Sequence, residues 1–172
     1  MCNEKKYEKK IPILVLILLG AFIGIVLKLF IFDYLNVSGT SMEPTIHDGS
    51  SIFVSKIAYG LAIPFGIELA ITWNKPKEND IVLFFFNNKA VIKRCVAVEG
   101  TPLEFSTGSV YSLLVNDKKI PLTESQYQKI KHSKVVPTGM ILAIGDNYEV
   151  SVDSRDYGFV SVKNVLGKVL NK

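Results

Sequence analysis

The chain has 172 residues, enough for one domain with a hydrophobic core or for a small domain attached to an anchor. Its formal net charge is +4, and residues 1–32 carry +3 of that total. Because the basic charge is concentrated in a short N-terminal arm, nucleic-acid binding is a poor interpretation. The two cysteines and two histidines are scattered without the spacing of metal ligands. We therefore expect no zinc site and no disulfide.

The first predicted element is a transmembrane helix over residues 11–32, which contain a single charged residue, Lys28. A helix of this length spans about 33 Å, close to the hydrocarbon thickness of a bilayer. Lysines are frequent in residues 1–10, so this arm is predicted to be cytoplasmic and residues 33–172 to lie on the outer face of the cell membrane. A cleavable signal peptide is the alternative. We favour a retained anchor because residues 33–36 do not form a small-residue cleavage site.

Beyond the anchor, short runs rich in β-branched and aromatic residues alternate with turns. The predicted strands cover residues 51–55, 80–86, 90–98, 109–115, 139–145 and 158–162. A helical pattern is present only at residues 124–131. This arrangement predicts a mainly β fold, in which a barrel-like domain of antiparallel sheets follows the transmembrane helix.

Residues 57–73 form an apolar segment that is interrupted by glycine and proline and is too short to cross a membrane. Two interpretations remain open. The segment rests on the bilayer surface, where Tyr59 and Trp73 would suit the interface, or it folds back on the core of the domain.

A turn of small residues, 38–45, presents Ser41 directly after the apolar segment. A serine nucleophile needs a base, and the two histidines, His47 and His132, lie in polar surroundings typical of surface residues. Lys93 is a better candidate because it interrupts an apolar strand. Strand alternation places Lys93 and Arg94 on opposite faces, so that one of them points inward. A lysine in apolar surroundings loses its charged form and can serve as a general base for a serine.

Residues 145–158 are dense in Asp, Asn, Ser and Arg between two predicted strands. Such a composition indicates a structured polar loop. We expect it to be held by a carboxylate–guanidinium pair between Arg155 and either Asp153 or Asp146.

Together these motifs resemble the membrane-anchored type I signal peptidases, which are Ser-Lys proteases. The parts stand in family order behind the anchor: Ser41-Met42-x-Pro44-Thr45, residues 80–84, Lys93-Arg94, residues 145–147, and Ser151-x-Asp153-Ser154-Arg155. The resemblance implies a serine endopeptidase that removes signal peptides from exported preproteins and cleaves after small residues at the −1 and −3 positions. It implies no cofactor, because the lysine performs the proton transfer. Within the catalytic domain we expect a small β extension at about residues 101–138.

The resemblance also assigns roles to individual residues. Ser41 is the implied nucleophile, Lys93 the unprotonated general base, and Ser151 the hydroxyl that bonds and orients the lysine. The other supporting roles are an Asp153–Arg155 ion pair that fixes the loop, Gly145 leaving room next to Lys93, and Met42 packing under the nucleophile. The implied pockets for small substrate residues are lined by Leu35, Val37, Leu83 and Ile92.

One departure concerns Gly39, which stands where some relatives have a serine that donates to the oxyanion hole. The backbone N–H of Ser41 is then the donor that the sequence assigns, and the second donor stays open. A membrane-tethered β domain that binds exported chains without cutting them is the alternative function. The joint presence of Ser41, Lys93, Ser151 and the Asp153–Arg155 pair favours an active peptidase. A self-cleaving repressor of the DNA-damage response shares the Ser-Lys logic, but the anchor and the lack of a DNA-binding domain argue against it.

Overall fold

The computed structural model describes residues 12–63, 66–108 and 110–171. The predicted cytoplasmic arm, 1–10, and the first residue of the predicted span, Ile11, lie outside these ranges. The first element is helix α1 (Ile13–Val26), which continues through a π-helical turn, Leu27–Ile31. The stretch Ile13–Ile31 has a mean hydropathy of 2.9, and none of its residues is buried within the protein. By length and composition it could cross a membrane.

The rest of the described chain is mainly β. Its strands are β1 (Phe32–Asn36), β2 (Ser51–Ser55), β3 (Gly60–Ala62), β4 (Leu69–Thr72), β5 (Ile81–Phe86), β6 (Lys89–Val98), β7 (Glu104–Thr107), β8 (Tyr111–Val115), β9 (Lys118–Pro121), β10 (Met140–Ile144), β11 (Val160–Ser161) and β12 (Val165–Val169). The described chain after the anchor also contains two short α-helices, α2 (Glu124–Ile130) and α3 (Ser154–Tyr157), and a 3-10 helical turn, Val162–Asn164. The main sheet has seven strands in the order β1-β2-β12-β5-β6-β10-β11, and the pairings recorded between them are antiparallel.

The predicted mainly β fold with antiparallel sheets behind one apolar helix is confirmed. The barrel-like form is not confirmed. Among the described residues the main sheet is open, with β1 and β11 as its edges, and no closed barrel is found. The strands β7, β8 and β9 form a separate three-stranded sheet inside the range assigned to the small extension. Helix α2 coincides with the helical pattern at 124–131 and starts at a capping box on Thr123.

The apolar segment 57–73 contains the hairpin of β3 and β4, and its two faces differ. Tyr59 and Leu69 are buried in the core, and the Tyr59 hydroxyl donates a hydrogen bond to Asp80 Oδ2 at 2.8 Å. Ile71 and Trp73 are more than half exposed. The segment is therefore tied to the core on one side and presents apolar side chains outward on the other.

Three hydrophobic clusters form the core, and one of them lies under the turn that carries Ser41. Its buried members come from that turn and from β2, β5 and β12; they are Met42, Ile46, Ile52, Val54, Ile81, Leu83 and Val169. Burying side chains of this size contributes about 1.5–3 kcal/mol each. The turn therefore packs on a hydrophobic cluster, although it has no regular secondary structure of its own.

Candidate active site

Ser41 lies on the turn between β1 and β2, and its neighbours fix the shape of that turn. Gly39 has φ = 110°, a conformation that favours glycine, and its N–H donates to Asp48 Oδ1 at 2.8 Å. Met42 is 1% exposed and packs into the hydrophobic cluster under the turn. Because the next residue is anchored in the core, Ser41 is held half-buried at the surface of the domain.

Lys93 of β6 meets the serine. Its Nζ lies 2.7 Å from Ser41 Oγ, within hydrogen-bonding distance, and the side chain is 4% exposed. Burial lowers the pKa of the Lys93 amine below its ordinary value. The Arg155 cation acts in the same direction, while the Asp153 and Asp146 carboxylates oppose it. The expected alternation along β6 is also present, since Arg94 points to the other side.

The polar loop is built around a buried ion pair between Asp153 and Arg155. Arg155 Nε donates to Asp153 Oδ1 and Nη2 to Oδ2, each at 2.9 Å, and both side chains are at most 1% exposed. Arg155 Nη2 also donates to the carbonyl oxygens of Tyr148 and Ser151, at 3.0 and 3.2 Å. Asp153 Oδ2 accepts the N–H of Gly145 at 3.0 Å. A single pair thus holds both ends of the loop.

Asp146 pairs with Arg94 and not with Arg155, the partner considered for it from the sequence. Its two carboxylate oxygens accept hydrogen bonds from Arg94 Nε and Nη2, at 2.7 and 2.5 Å. Arg94 also donates to Thr45 Oγ1 at 3.3 Å, which links the pair to the serine turn. A paired guanidinium on the outer face of β6 was not foreseen, because the sequence does not show which strand faces the loop.

Ser151 is buried beside the site, but the expected hydrogen bond to Lys93 is not formed. Its Oγ has no hydrogen-bond partner among the described residues. Gly145 lies against the same hydroxyl. A Cβ built on Gly145 would overlap Ser151 Oγ and would lie 2.5 Å from the carbonyl oxygen of Ser41. Glycine is therefore required at this position to make room for the Ser151 side chain and for the Ser41 backbone.

The four residues assigned to the substrate pockets come together beside Met42. Leu83 is buried in the cluster under the turn, and Leu35, Val37 and Ile92 pack against it half-buried. Leu83 and Ile92 face each other across β5 and β6. An apolar cavity of about 320 Å³ touches two of the four residues, Leu35 and Leu83, and continues toward β3. The structure therefore places an apolar wall next to the Ser41–Lys93 pair.

One residue of the motif 145–147 was given no individual role from the sequence. Asn147 donates its backbone N–H to the Ser41 carbonyl oxygen at 3.1 Å and its side-chain Nδ2 to the Thr40 carbonyl oxygen at 3.2 Å. No periodicity marks such a contact, and only the asparagine's place in the polar loop could have suggested it.

His47 lies 3.8 Å from Glu43 at the surface, and neither histidine bonds to Ser41 within the described chain. In that same part of the chain no group of three His, Cys, Asp or Glu residues could hold a metal ion.

A serine hydroxyl in contact with a buried lysine amine, beside an apolar wall, is the arrangement of a serine hydrolase with a lysine base. Comparison with known proteins gives the family. The family model described as "Signal peptidase, peptidase S26" matches residues 10–171. The chain is 30% identical over 160 residues to signal peptidase I of Bacillus caldolyticus, covering 83% of this chain and 80% of the relative. It is also 30% identical over 161 residues to signal peptidase IB of Staphylococcus aureus, covering 81% and 76% of the two chains.

Among solved structures, a signal peptidase I from Enterococcus faecalis matches with 28% identity and a TM-score of 0.41. The match covers 58% of this chain and 100% of that one. The family model and the two curated relatives extend over most of this sequence. The chain therefore belongs to the signal peptidase family of S26 serine peptidases, and the predicted resemblance is confirmed.

Proposed function

We propose that this protein is a membrane-anchored endopeptidase that removes N-terminal signal peptides from exported preproteins by a Ser41–Lys93 dyad. The observation that carries the proposal is the 2.7 Å separation of Lys93 Nζ and Ser41 Oγ on a lysine that is 4% exposed. Family membership supports the reaction class. The lowered pKa of Lys93 supports its role, because a base must be unprotonated to act.

In the proposed acylation step, the neutral Lys93 amine accepts the proton of the Ser41 hydroxyl while Oγ attacks the carbonyl carbon of the substrate's −1 residue. The carbonyl π electrons move to oxygen, and the backbone N–H of Ser41 stabilises that oxyanion. The tetrahedral intermediate then collapses. Its C–N bond breaks, the leaving amine takes the proton from Lys93, and the signal peptide stays esterified to Ser41.

Deacylation repeats the same proton transfer with water. Lys93, neutral again, accepts a proton from the water that attacks the ester carbonyl, and returns it to Ser41 Oγ when the ester bond breaks. The Asp153–Arg155 pair has a supporting role, since it holds the loop behind the lysine. Ser151 Oγ, buried and without a hydrogen-bond partner among the described residues, is a group with which the Lys93 amine can form a hydrogen bond during these steps.

Cleavage after small residues at the −1 and −3 positions follows from the apolar side chains that line the site. Leu35, Val37, Leu83 and Ile92 belong to one packed cluster with Met42, so the space beside Ser41 cannot deepen without disrupting the core. A small side chain would be accommodated there, and a large one would clash.

The proposed location is the outer face of the cell membrane, with the N-terminal arm in the cytoplasm. The hydropathy of Ile13–Ile31, its lack of burial and the lysines of residues 1–10 support one membrane crossing in this orientation. Preproteins emerging from the secretion machinery would then reach Ser41 from the outer face. Protease added to intact cells should digest residues 33–172, and full protection would contradict this orientation.

The test is cleavage of a preprotein carrying an Ala-x-Ala site by the detergent-solubilised full chain. Ser41→Ala and Lys93→Ala should be inactive, whereas His47→Ala should cleave like the parent because its imidazole lies at the surface away from the dyad. Equal cleavage by either dyad variant would disprove the dyad. A parent chain that binds the preprotein without cutting it would support the binding-domain alternative.

A further inference from the structure

The loop residue Asn147 makes two contacts with the turn that carries the nucleophile. Its backbone N–H donates to the carbonyl oxygen of Ser41 at 3.1 Å. Its side-chain Nδ2 donates to the carbonyl oxygen of Thr40 at 3.2 Å, across 107 residues of sequence. The Thr40 oxygen also accepts the N–H of Glu43 at 3.1 Å. One residue of the loop therefore holds two successive carbonyl groups of the serine turn.

The contact with Thr40 has a consequence for the N–H of Ser41. The Thr40 C=O and the Ser41 N–H belong to the same planar peptide group, and in a trans peptide they point in opposite directions. Hydrogen bonds that hold the Thr40 oxygen on the loop side therefore aim the Ser41 N–H away from the loop. This N–H makes no hydrogen bond with other residues in the described ranges. It is available to a substrate oxygen.

The loop that carries Asn147 is well braced. Asp146, directly before it, is paired with Arg94, and the Tyr148 carbonyl, directly after it, accepts from Arg155. The Asn147 carbonyl accepts the N–H of Ser151 at 3.0 Å. Restraints on both sides keep the amide of Asn147 in place. The two ion pairs, Asp146–Arg94 and Asp153–Arg155, therefore help to fix the orientation of the Thr40–Ser41 peptide through this loop.

We infer that Asn147 is a positioning residue for the oxyanion donor, a role that rests on the proposed function. Gly39 supplies no side-chain hydroxyl, so stabilisation of the oxyanion depends on the direction of the Ser41 N–H. Asn147 makes no hydrogen bond to Lys93 in the described part of the chain, and its contacts with the serine turn are to backbone carbonyls. It therefore acts through the Thr40–Ser41 peptide. Loss of the Asn147 side-chain amide leaves Ser41 and Lys93 in place and turns the Ser41 N–H away from the substrate oxygen.

The experiment compares the full-length parent with Asn147→Ala, which removes the amide, and Asn147→Asp, which keeps the shape but places a carboxylate against the Thr40 oxygen. Asn171→Ala is the matched control, because Asn171 Nδ2 donates to the Ser51 carbonyl at 3.1 Å on β2. Removal of an oxyanion donor costs about 10²–10³ in kcat, so a misdirected donor should cost about tenfold. We expect kcat to fall about tenfold in both Asn147 variants, with KM within threefold of the parent.

The pH profile separates positioning from general loosening of the site. Because Asn147→Ala leaves Lys93 untouched and adds no charge, the acid limb of kcat/KM should stay at the parent's position in this variant. Asn147→Asp is not used for this comparison, because a carboxylate beside Asp146 would itself raise the pKa of Lys93. Rates are measured well below the lowest melting temperature of the set, so that a less stable variant is still assayed folded. A kcat within twofold of the parent, a loss carried by KM, or an acid limb shifted in Asn147→Ala would each overturn the inference.

Failure of the proposed function would look different. If Ser41→Ala cleaved as well as the parent, or the parent did not cleave, the dyad itself would be disproved. If cleavage required Ser41 and Lys93 but Asn147→Ala and Asn147→Asp matched the parent, only the positioning role would be lost.

Discussion

Gly145→Ala should slow the enzyme by displacing the nucleophile's backbone. The added Cβ would lie 2.5 Å from the Ser41 carbonyl oxygen, and ordinary contact needs 3.4 Å or more. The two groups must separate by about 0.9 Å. A misplacement of about 1 Å at a reacting group costs about 10²-fold in rate, and overpacking costs about 1–3 kcal/mol of stability. We expect kcat for preprotein cleavage to fall about 100-fold, with the variant still folded at the assay temperature.

Two controls separate this effect from a general cost of replacing glycine. Gly108→Ala should match the parent, because a Cβ there meets no atom within 4 Å. The double variant Gly145→Ala/Ser151→Gly removes the overlaps with the Ser151 side chain and leaves the one with the Ser41 carbonyl. Because Ser151 is itself a proposed partner of Lys93, the reference for this variant is Ser151→Gly alone, and the double variant should be slower than that reference. A double variant as fast as Ser151→Gly alone would show that the carbonyl does not matter. A single variant within threefold of the parent would refute the steric reasoning altogether.

Two further predictions concern charge. The rate should fall as the pH decreases through the pKa of Lys93, because protonation removes the base. Burial lowers the pKa of Lys93, so the acid limb of kcat/KM should lie below the pH range in which an exposed lysine titrates. A rate that is flat with pH would exclude a lysine base. Asp153→Asn leaves the 1%-exposed Arg155 without its anion and should cost about 3–5 kcal/mol, measured by denaturant unfolding of the chain. A loss below about 1 kcal/mol would mean that the pair does not hold the loop.

The sequence predicts the dyad because its signals are local. Ser41 stands on a small-residue turn, and Lys93 interrupts an apolar strand whose alternation turns either Lys93 or Arg94 inward. Strands β2, β5 and β6 are found within one residue of their predicted bounds for the same reason, since their runs are rich in β-branched and aromatic residues.

The parts that sequence reasoning missed depend on non-local pairing. Strand β12 pairs with β2 and β5, far from it in the chain, and no turn signal links them. Closure of a sheet into a barrel depends on whether its edges meet, which strand patterns do not encode. The contacts of Asn147 and the Arg94–Asp146 pair likewise require knowledge of which loop lies over which strand.

The two ion pairs around Lys93 have a common electrostatic effect. Asp153 and Asp146 are the carboxylates that favour the protonated lysine, and each is bound through both oxygens to a guanidinium, Arg155 or Arg94. Burial is the largest influence on the pKa of Lys93, the Arg155 cation acts in the same direction, and the net effect is to lower that pKa. Because the same two pairs brace the loop that contacts the serine turn, the residues that act on the charge of Lys93 also hold the turn that carries Ser41.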